Sequence, residues 1–445
     1  HFVPHTDREI ADMLAFCGLS SLEELFTAVP VAIRLASGEL PLADGLSEPD
    51  TMAAMQSLAD ANRPCGNDLV CFAGGGAYDH DIPSVVRRVA YRAEFVTAYT
   101  PYQPEVAQGV LQALFEYQTM VARLSGMDVA NASLYDGATA CVEAINLAVA
   151  AVGRQTVLVS QGVNPQYRQV MATFAAGTGH RFVEAPVVDG VSAWEVDTSE
   201  PAAAVVVQYP NYLGCIEDLA AARACADRHG ALLVVVLDPV AAGLLRSPGE
   251  FGADVVVGEG QPFGTPLAFG GPYVGLFACR QQHVRRLPGR LVGQTVDAVG
   301  TTAYVTTLRT REQDIRREKA SSNVCTNQTL IAVCFAIQLG WLGTAGLREL
   351  ALRCARGTRY ARESLAAVDG VVPMSRAPVL REFALRTPLP ADLVVDRMAE
   401  EGFLAGIALG PEVGADARTL LVSVTERRTR DEIDAYVAAM EKVIR

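Results

Sequence analysis

Residues 231–237 read ALLVVVL, seven apolar side chains with no polar position among them. Successive side chains of a strand point to opposite faces, so this strand needs apolar cover on both sides. That is the requirement of a parallel sheet wrapped by helices, and it excludes a sheet with one wet face. The pattern recurs. Strands are predicted at 156–160, 181–185, 203–208, 231–237, 254–257 and 273–278, with helices at 138–151, 166–176 and 218–229 between many of them. The alternation predicts a large, mainly parallel α/β domain over 66–308.

The rest of the chain arranges around that domain. Thr6 with Glu9 and Ser21 with Glu24 have capping-box spacing ahead of amphipathic runs at 10–16 and 22–29, predicting an N-terminal helical arm over 1–65. A short strand is predicted at 68–72, followed by the glycine-rich turn AGGGAYDHDIP, in which Pro83 starts a helix. Pro101 and Pro104 keep FVTAYTPYQPE (95–105) extended, and helical periodicity follows over 105–124. Residues 309–368 read as two or three long connecting helices. Beyond 369, strands at 382–386 and 419–424 alternate with helices at 391–401 and 430–444, predicting a small α+β domain over 369–445.

Composition narrows the function class. A net charge of -13 argues against general nucleic-acid binding, which needs clustered cations to displace counterions. No unbroken apolar stretch reaches the roughly 18–20 residues of a membrane span, and no signal peptide is recognised, so a soluble cytosolic protein is expected; the start at His1 reads as a trimmed end. The ten cysteines are scattered without a C-x-x-C pair, as in reduced proteins. Six scattered histidines predict no metal site.

The stretch DVVVGEGQPFGTPLAFGGP (254–272) is a strand running into a glycine-rich loop, the usual setting of a ligand at the carboxyl end of a sheet. Glu259 and Gln261 are the only long polar side chains of that loop. In NASLYDGATACVEAINLA (131–148), Asp136 is placed as N-cap, with Gly137, Ala138 and Thr139 as a first turn open to an anion. An ordinary capped helix reads equally well. Asp238 closes the 231–237 strand, where a carboxylate can pair with a cofactor's ring nitrogen; an Asp-Pro turn without a ligand is the alternative.

Tyr99, Tyr102, Gln103 and Glu105, with Tyr78, Asp79 and His80 upstream, put aromatic and polar groups on extended loops suited to a small ligand or to a subunit interface. Only two lysines could form a Schiff base, Lys319 and Lys442. Neither lies in an apolar setting that would lower an amine's pKa. The run Arg309, Arg311, Arg316, Arg317 and Lys319 reads as a salt-bridged face or an anion-binding one.

Six motifs carry a resemblance: FAGGGAYDHDIPSVVRR, EFVTAYTPYQPEVAQGVLQALFEYQTM, NASLYDGATA, GEGQPFGTPLAFGGP, LPGRLVG and REKASSNVCTNQ. Together they resemble the P-protein of the glycine cleavage system, in particular the alpha chain (subunit 1) of its split form. The resemblance implies the type I fold of pyridoxal-phosphate-dependent transferases, aminotransferase-like, with a small C-terminal domain. It implies glycine decarboxylation on pyridoxal phosphate held by a beta subunit in an α2β2 assembly, and transfer of the aminomethyl group to the lipoyl arm of the H-protein. The family's beta chain carries the cofactor on a lysine in a His-Lys-Thr motif, and laying this loop on it places Gln261 at the lysine. No catalytic residue and no metal is then expected on this chain. Asp136, Gly137, Thr139, Asp238 and Gln261 become a vestigial cofactor cradle, and Tyr99, Tyr102, Gln103 and Glu105 candidates for reaching the partner's substrate pocket. The resemblance further implies glycine as substrate and a bacterial or archaeal cytoplasm. An independent homodimeric pyridoxal-phosphate enzyme and a purely structural partner subunit are the rival readings, and the end at Arg445 favours the split arrangement.

Overall fold

The computed structural model describes residues 4–35, 42–66, 68–198, 200–308, 320, 322 and 324–445, and the chain divides into two compact units, His1–Arg63 and Pro64–Arg445. In the first unit α1 (Asp7–Phe16) opens on the predicted capping box: the Thr6 hydroxyl accepts from Glu9 N–H, and the Glu9 carboxylate accepts from Thr6 N–H at 2.8 Å. The second predicted box does not form. Ser21 makes no side-chain cap bond, because Glu24 accepts instead from the Ser20 backbone N–H at 3.3 Å. The helix expected over 22–29 is accordingly a single 3-10 segment, Leu22–Phe26. An unforeseen helix, α2 (Glu48–Asp60), is capped by Ser47 with a proline in its first turn.

The second unit begins with β1 (Val70–Cys71), α3 (Ser84–Ala90), α4 (Ala93–Val96) and α5 (Gln108–Ser125). α5 starts later than its periodicity suggests because Pro104 opens a 3-10 turn, Pro104–Val106. The central sheet follows: β2 (Val129–Ala130), α6 (Gly137–Val152), β3 (Thr156–Ser160), α7 (Pro165–Thr178) and β4 (Arg181–Ala185), then the small hairpin β5 (Val187–Val188) and β6 (Val191–Ser192), then β7 (Ala204–Tyr209), α8 (Leu219–His229), β8 (Leu232–Leu237), β9 (Val255–Glu259) and β10 (Gly275–Cys279). Seven strands assemble in the order β2-β10-β9-β8-β7-β3-β4. The run from β9 to β4 is parallel, and β10 is antiparallel to both its neighbours.

The sheet divides two apolar cores as the unbroken strands require. In β8, Leu233, Val235 and Leu237 face one core, with α5 and α8, while Val234 and Val236 face the other, with α6. Each such fully buried valine or leucine contributes on the order of 1.5–3 kcal/mol.

A hairpin absent from the sequence reading, β11 (Leu291–Val296) with β12 (Thr302–Thr307), packs beside α5. The long helix α9 (Thr329–Ala366) breaks at Gly343, whose φ of 59° is left-handed. By length and composition α9 could cross a membrane. It is a core helix instead: Phe335, Leu339, Leu350 and Cys354 are built into the main core. An unbroken-run criterion passes over it because Gln338 and several glycines interrupt the sequence. Residues 309–319, with Arg309, Arg311, Arg316, Arg317 and Lys319, lie outside the described residues.

The chain ends in β13 (Val372–Pro373), β14 (Glu382–Arg386), α10 (Ala391–Glu400), β15 (Phe403–Leu404), β16 (Ile407–Ala408), β17 (Thr419–Ser423) and α11 (Arg430–Ile444). β13-β14-β17-β16 form an antiparallel sheet. Its core takes Val394, Met398, Ile433, Tyr436 and Met440, together with Phe72 from the segment after β1. β1 itself pairs with β15, Val70 opposite Phe403. The glycine-rich segment after β1 is thereby tied to the C-terminal sheet and runs from there to the carboxyl edge of the central one.

Candidate functional site

Leu237 lies opposite Gly258 in the β8–β9 ladder, so the residues that follow them, Asp238 and Glu259, emerge side by side at the carboxyl edge. This is the edge where open α/β sheets hold ligands. α6 and α7 begin nearby, bringing Asp136, Gly137, Thr139 and Asn164 alongside, and the glycine-rich segment 74–80 closes over the top. Gly75 and Gly76 have φ of +75° and +118°, and a Cβ would stand 2.5 Å from Ile407 Cδ1 and 2.8 Å from Asn164 Nδ2, respectively. Only glycine passes there.

Each expected cradle residue is engaged within the chain. Asp136 caps α6 by accepting from Thr139 N–H at 2.8 Å. Gly137 N–H donates to Glu259 Oε2 at 3.0 Å, and Gln261 and Val274 N–H both donate to Glu259 Oε1 at 3.0 Å. The small size of Gly137 makes room for protein rather than ligand, since a Cβ there would lie 2.1 Å from the Tyr167 hydroxyl.

Gln261 is buried. Its Nε2 donates to the carbonyls of Tyr78 at 3.0 Å and Thr265 at 2.8 Å, and its Oε1 accepts from Tyr78 N–H at 2.9 Å. Asp238 pairs with Arg381 Nη2 at 2.9 Å and also accepts from Val240 N–H at 3.0 Å, so the Asp-Pro turn and a cation partner are both present.

Tyr78 and His80 are not on a surface loop. Tyr78 lies in the site with the Arg381 guanidinium 3.3 Å from its ring centroid, and its hydroxyl donates to Glu382 Oε2 at 2.7 Å. Gly75 N–H donates to the other Glu382 oxygen at 2.6 Å. Arg381 Nη1 faces His80 Nε2 at 2.5 Å, and His80 Nδ1 lies 2.6 Å from Glu426 Oε2. A guanidinium only donates, so His80 Nε2 accepts and its Nδ1–H donates to Glu426. The result is a buried chain Asp238–Arg381–His80–Glu426.

His80, Cys354 and Glu426 bring potential metal-binding atoms within 4.8 Å of one another. Both His80 nitrogens are already taken, and a guanidinium stands against one of them.

Two larger spaces are present, one beside this packed centre and one at the Tyr99 segment. One, of about 670 Å³, is lined by Gly74–Ala77, Asp136–Thr139, Tyr167, Glu259 and Tyr273 among others. Among the described residues it has two carboxylates and no Lys, Arg or His. The other, of about 560 Å³, is lined by Tyr99, Tyr102, Gln103, Val106 and their neighbours. Tyr99 and Tyr102 are 82% and 51% exposed, Gln103 and Glu105 are exposed, and Glu105 lines neither cavity. The structure thus keeps the Tyr99 cluster apart from the cradle. Lys442 is exposed and ion-paired with Glu401 at 2.7 Å.

Comparison with known proteins turns on the whole chain. The family model of the glycine cleavage system P-protein matches residues 1–440. The chain belongs to that family. It is 49% identical over 446 residues to the probable glycine dehydrogenase (decarboxylating) subunit 1 of Moorella thermoacetica, covering 100% of this chain and 99% of the relative. The subunit 1 relative of Desulforamulus reducens is 46% identical over 442 residues, 99% of each chain. The crystal structure of a glycine decarboxylase (P-protein) of the glycine cleavage system in inhibitor-bound form superposes with TM-score 0.92, at 43% identity and full coverage of both chains. A NifS-like protein from Rickettsia africae shares the fold alone, at TM-score 0.60 and 12% identity over 84% of this chain and 99% of its own. The fold is that of the type I pyridoxal-phosphate-dependent enzymes.

Within this P-protein family member the cradle does not fit a pyridoxal phosphate. Position 261 offers no amine, and the space left among Tyr78, Asp238, Glu259 and Arg381 is about 40 Å³, far below the roughly 300 Å³ where small-ligand pockets begin. Sequence reasoning missed Tyr78, Arg381, Glu382 and Glu426 as members of one network. Arg381 and Glu382, charges opening the apolar run of β14, were the available signal.

The site's electrostatics give a stability test. Burial pushes the Glu259 carboxyl up to about 8 despite its three amide donors, and burial pushes Glu382 up to about 7. Burial opposes the charge of Glu426 as well, yet the hydrogen bonds from His80 and the Asp81 amide hold it down at about 2. A carboxyl whose folded value is raised stabilises fully below its unfolded value of 4.5, and that contribution is lost as pH rises through 7 and 8. Glu426 works oppositely and only in acid. Histidine and cysteine titrate alike in the parent chain and in Glu259→Gln, so the difference between the two proteins isolates Glu259. Between about pH 5.5 and 7.5 the parent chain is expected to lose stability relative to Glu259→Gln by on the order of 1 kcal/mol per pH unit, read from the urea midpoints of both proteins. Equal slopes in the two proteins would contradict the assignment.

Proposed function

We propose that this chain is subunit 1 of a two-subunit glycine dehydrogenase (decarboxylating) of the glycine cleavage system. A second subunit carries pyridoxal phosphate on a lysine, the two assemble as α2β2, and the aminomethyl group left from glycine passes to the lipoyl arm of the H-protein. The observation that carries this reading is Gln261: a buried amide with both ends hydrogen-bonded stands in the loop where a cofactor-bearing lysine would be. Gln261 forms no imine and offers no base.

Bound pyridoxal phosphate supplies an electron sink for loss of CO2. This chain's part is to fold as the partner and to wall the cofactor-bearing pocket against water. Tyr99 and Tyr102 are the residues we assign to that wall, because they present exposed rings around an open cavity, with exposed Val106 beside them. Gln103 and Glu105, both exposed, flank them. The cysteines, all free, support a reducing compartment, and we place the complex in the cytoplasm.

The test is reconstitution with a candidate second subunit, followed by borohydride reduction and mapping by mass spectrometry. Label on a lysine of the second subunit alone, with glycine decarboxylation only in the mixture, is the expected result. Label on Lys319 or Lys442 of the isolated chain would make it an independent pyridoxal-phosphate enzyme. In the same mixture, Tyr99→Ala with Tyr102→Ala is expected to lower decarboxylation while assembly stays intact. Unchanged kinetics would reduce this chain to a structural partner.

A further inference from the structure

We propose that the chain fills its own cofactor cradle: Glu259 sits in the phosphate seat, the Tyr78 ring in the ring slot, and Arg381 takes the place of the ring's N–H toward Asp238. A lysine supplied at position 261 would therefore still capture no pyridoxal phosphate. The inference rests on reading this chain as the subunit without cofactor, and it goes further by naming what replaced the cofactor.

The phosphate seat of such a cradle is the first turn of a helix whose free amides face an anion. Here the first amide of α6, Gly137 N–H, points at Glu259 Oε2, while the Gln261 and Val274 amides converge on Oε1, each at 3.0 Å. Three amides converging on one buried carboxyl group leave the seat with its donors already used, and Thr139 N–H is spent on Asp136. Next to it, Arg381 donates to Asp238 at 2.9 Å, as a protonated ring nitrogen would. The guanidinium lies over the Tyr78 ring, 3.3 Å from its centroid, and Tyr78 is pinned at its backbone by Gln261 and at its hydroxyl by Glu382. The adjoining cavity of about 670 Å³ offers no substitute seat. Its lining carries the Asp136 and Glu259 carboxyl groups and, among the described residues, no cation, so a phosphate dianion would find no charge to pair with.

Two independent measurements decide the matter. Gln261→Lys is incubated with pyridoxal phosphate, its absorbance followed at the internal-aldimine band, and the protein reduced and mapped. No reducible label at position 261 is expected; stoichiometric label there would overturn the self-filled cradle while leaving the partner-subunit reading intact, whereas label on Lys319 or Lys442 would count against the reading itself. Glu259→Ala empties the seat in the otherwise unsubstituted chain. Inorganic phosphate is expected to raise the melting temperature of Glu259→Ala by at least about 2 °C over chloride at equal ionic strength, with no such shift in the unsubstituted chain. An equal response in both chains, or no response in the variant, would overturn the assignment of Glu259 to the phosphate seat.

Discussion

Arg381→Ala is expected to cost the isolated chain about 3–5 kcal/mol of unfolding free energy, the range for removing one partner from a buried ion pair. Arg381 is 3% exposed, and its loss strands three groups at once: the Asp238 carboxylate, His80 Nε2, and the Tyr78 ring face. The desolvation of Asp238 would remain with nothing to offset it. Arg381→Lys is expected to recover only part of the loss, because a single ammonium cannot bridge Asp238 and His80 as the planar fork does. The control is Arg386→Ala, at the end of β14, the strand that Arg381 immediately precedes. Its partner is Asp416, with side chains 58% and 47% exposed, so the loss should stay within about 1 kcal/mol. Urea unfolding of the three variants reads the contrast directly. Comparable losses for Arg381→Ala and Arg386→Ala would mean that the buried chain of charges contributes no more than a surface pair.

That network also marks where sequence reading stops. β3, β4 and β14 fall at their predicted boundaries, and β7, β8, β9, β10 and β17 within two residues at either end, because unbroken apolar runs admit one kind of sheet and Gly, Pro and Asp punctuate them; the two-residue strands β2, β13 and β16 are not among those predicted. Helix ends set by side-chain chemistry are legible too: Asp136 and Thr6 both cap as their spacing predicts. Ser21 fails because a neighbour one residue earlier competes for the same glutamate, which a spacing rule does not weigh. Gln261 can be singled out from sequence because a family motif fixes its position. Its meaning depends on Tyr78, 183 positions away in sequence, and on Arg381 and Glu382, about 300 positions from Tyr78 and His80. No local period connects such residues. A composition-based reading assigns tyrosine, aspartate and histidine on a glycine-rich stretch to the surface, and only the tertiary structure reveals that the glycines thread the stretch inward. The β11–β12 hairpin was missed for a simpler reason: LVGQTV and TAYVTT carry weak alternation and half-buried faces.

Tyr78→Ala should be the other large loss, about 3–5 kcal/mol for an aromatic side chain removed from a packed interior, whereas Tyr99→Ala should leave the isolated chain within about 0.5 kcal/mol of the starting protein. The two tyrosines sit in neighbouring motifs and look equivalent in sequence, but Tyr78 is 7% exposed and Tyr99 82%. Removing the Tyr78 ring takes away the surface on which Arg381 lies and the hydroxyl that donates to Glu382. Tyr78→Phe separates those terms. The ring stays, Glu382 keeps only the Gly75 amide, and a loss of about 1–3 kcal/mol is expected for a buried acceptor deprived of its donor. Because burial already favours the protonated form of Glu382, losing a donor to its charged form raises its pKa further, so the decline of stability with rising pH should steepen in Tyr78→Phe. A Tyr78→Ala loss no larger than that of Tyr99→Ala would show that the ring is not packed in the cradle, and the account of a cradle filled from within would fall with it.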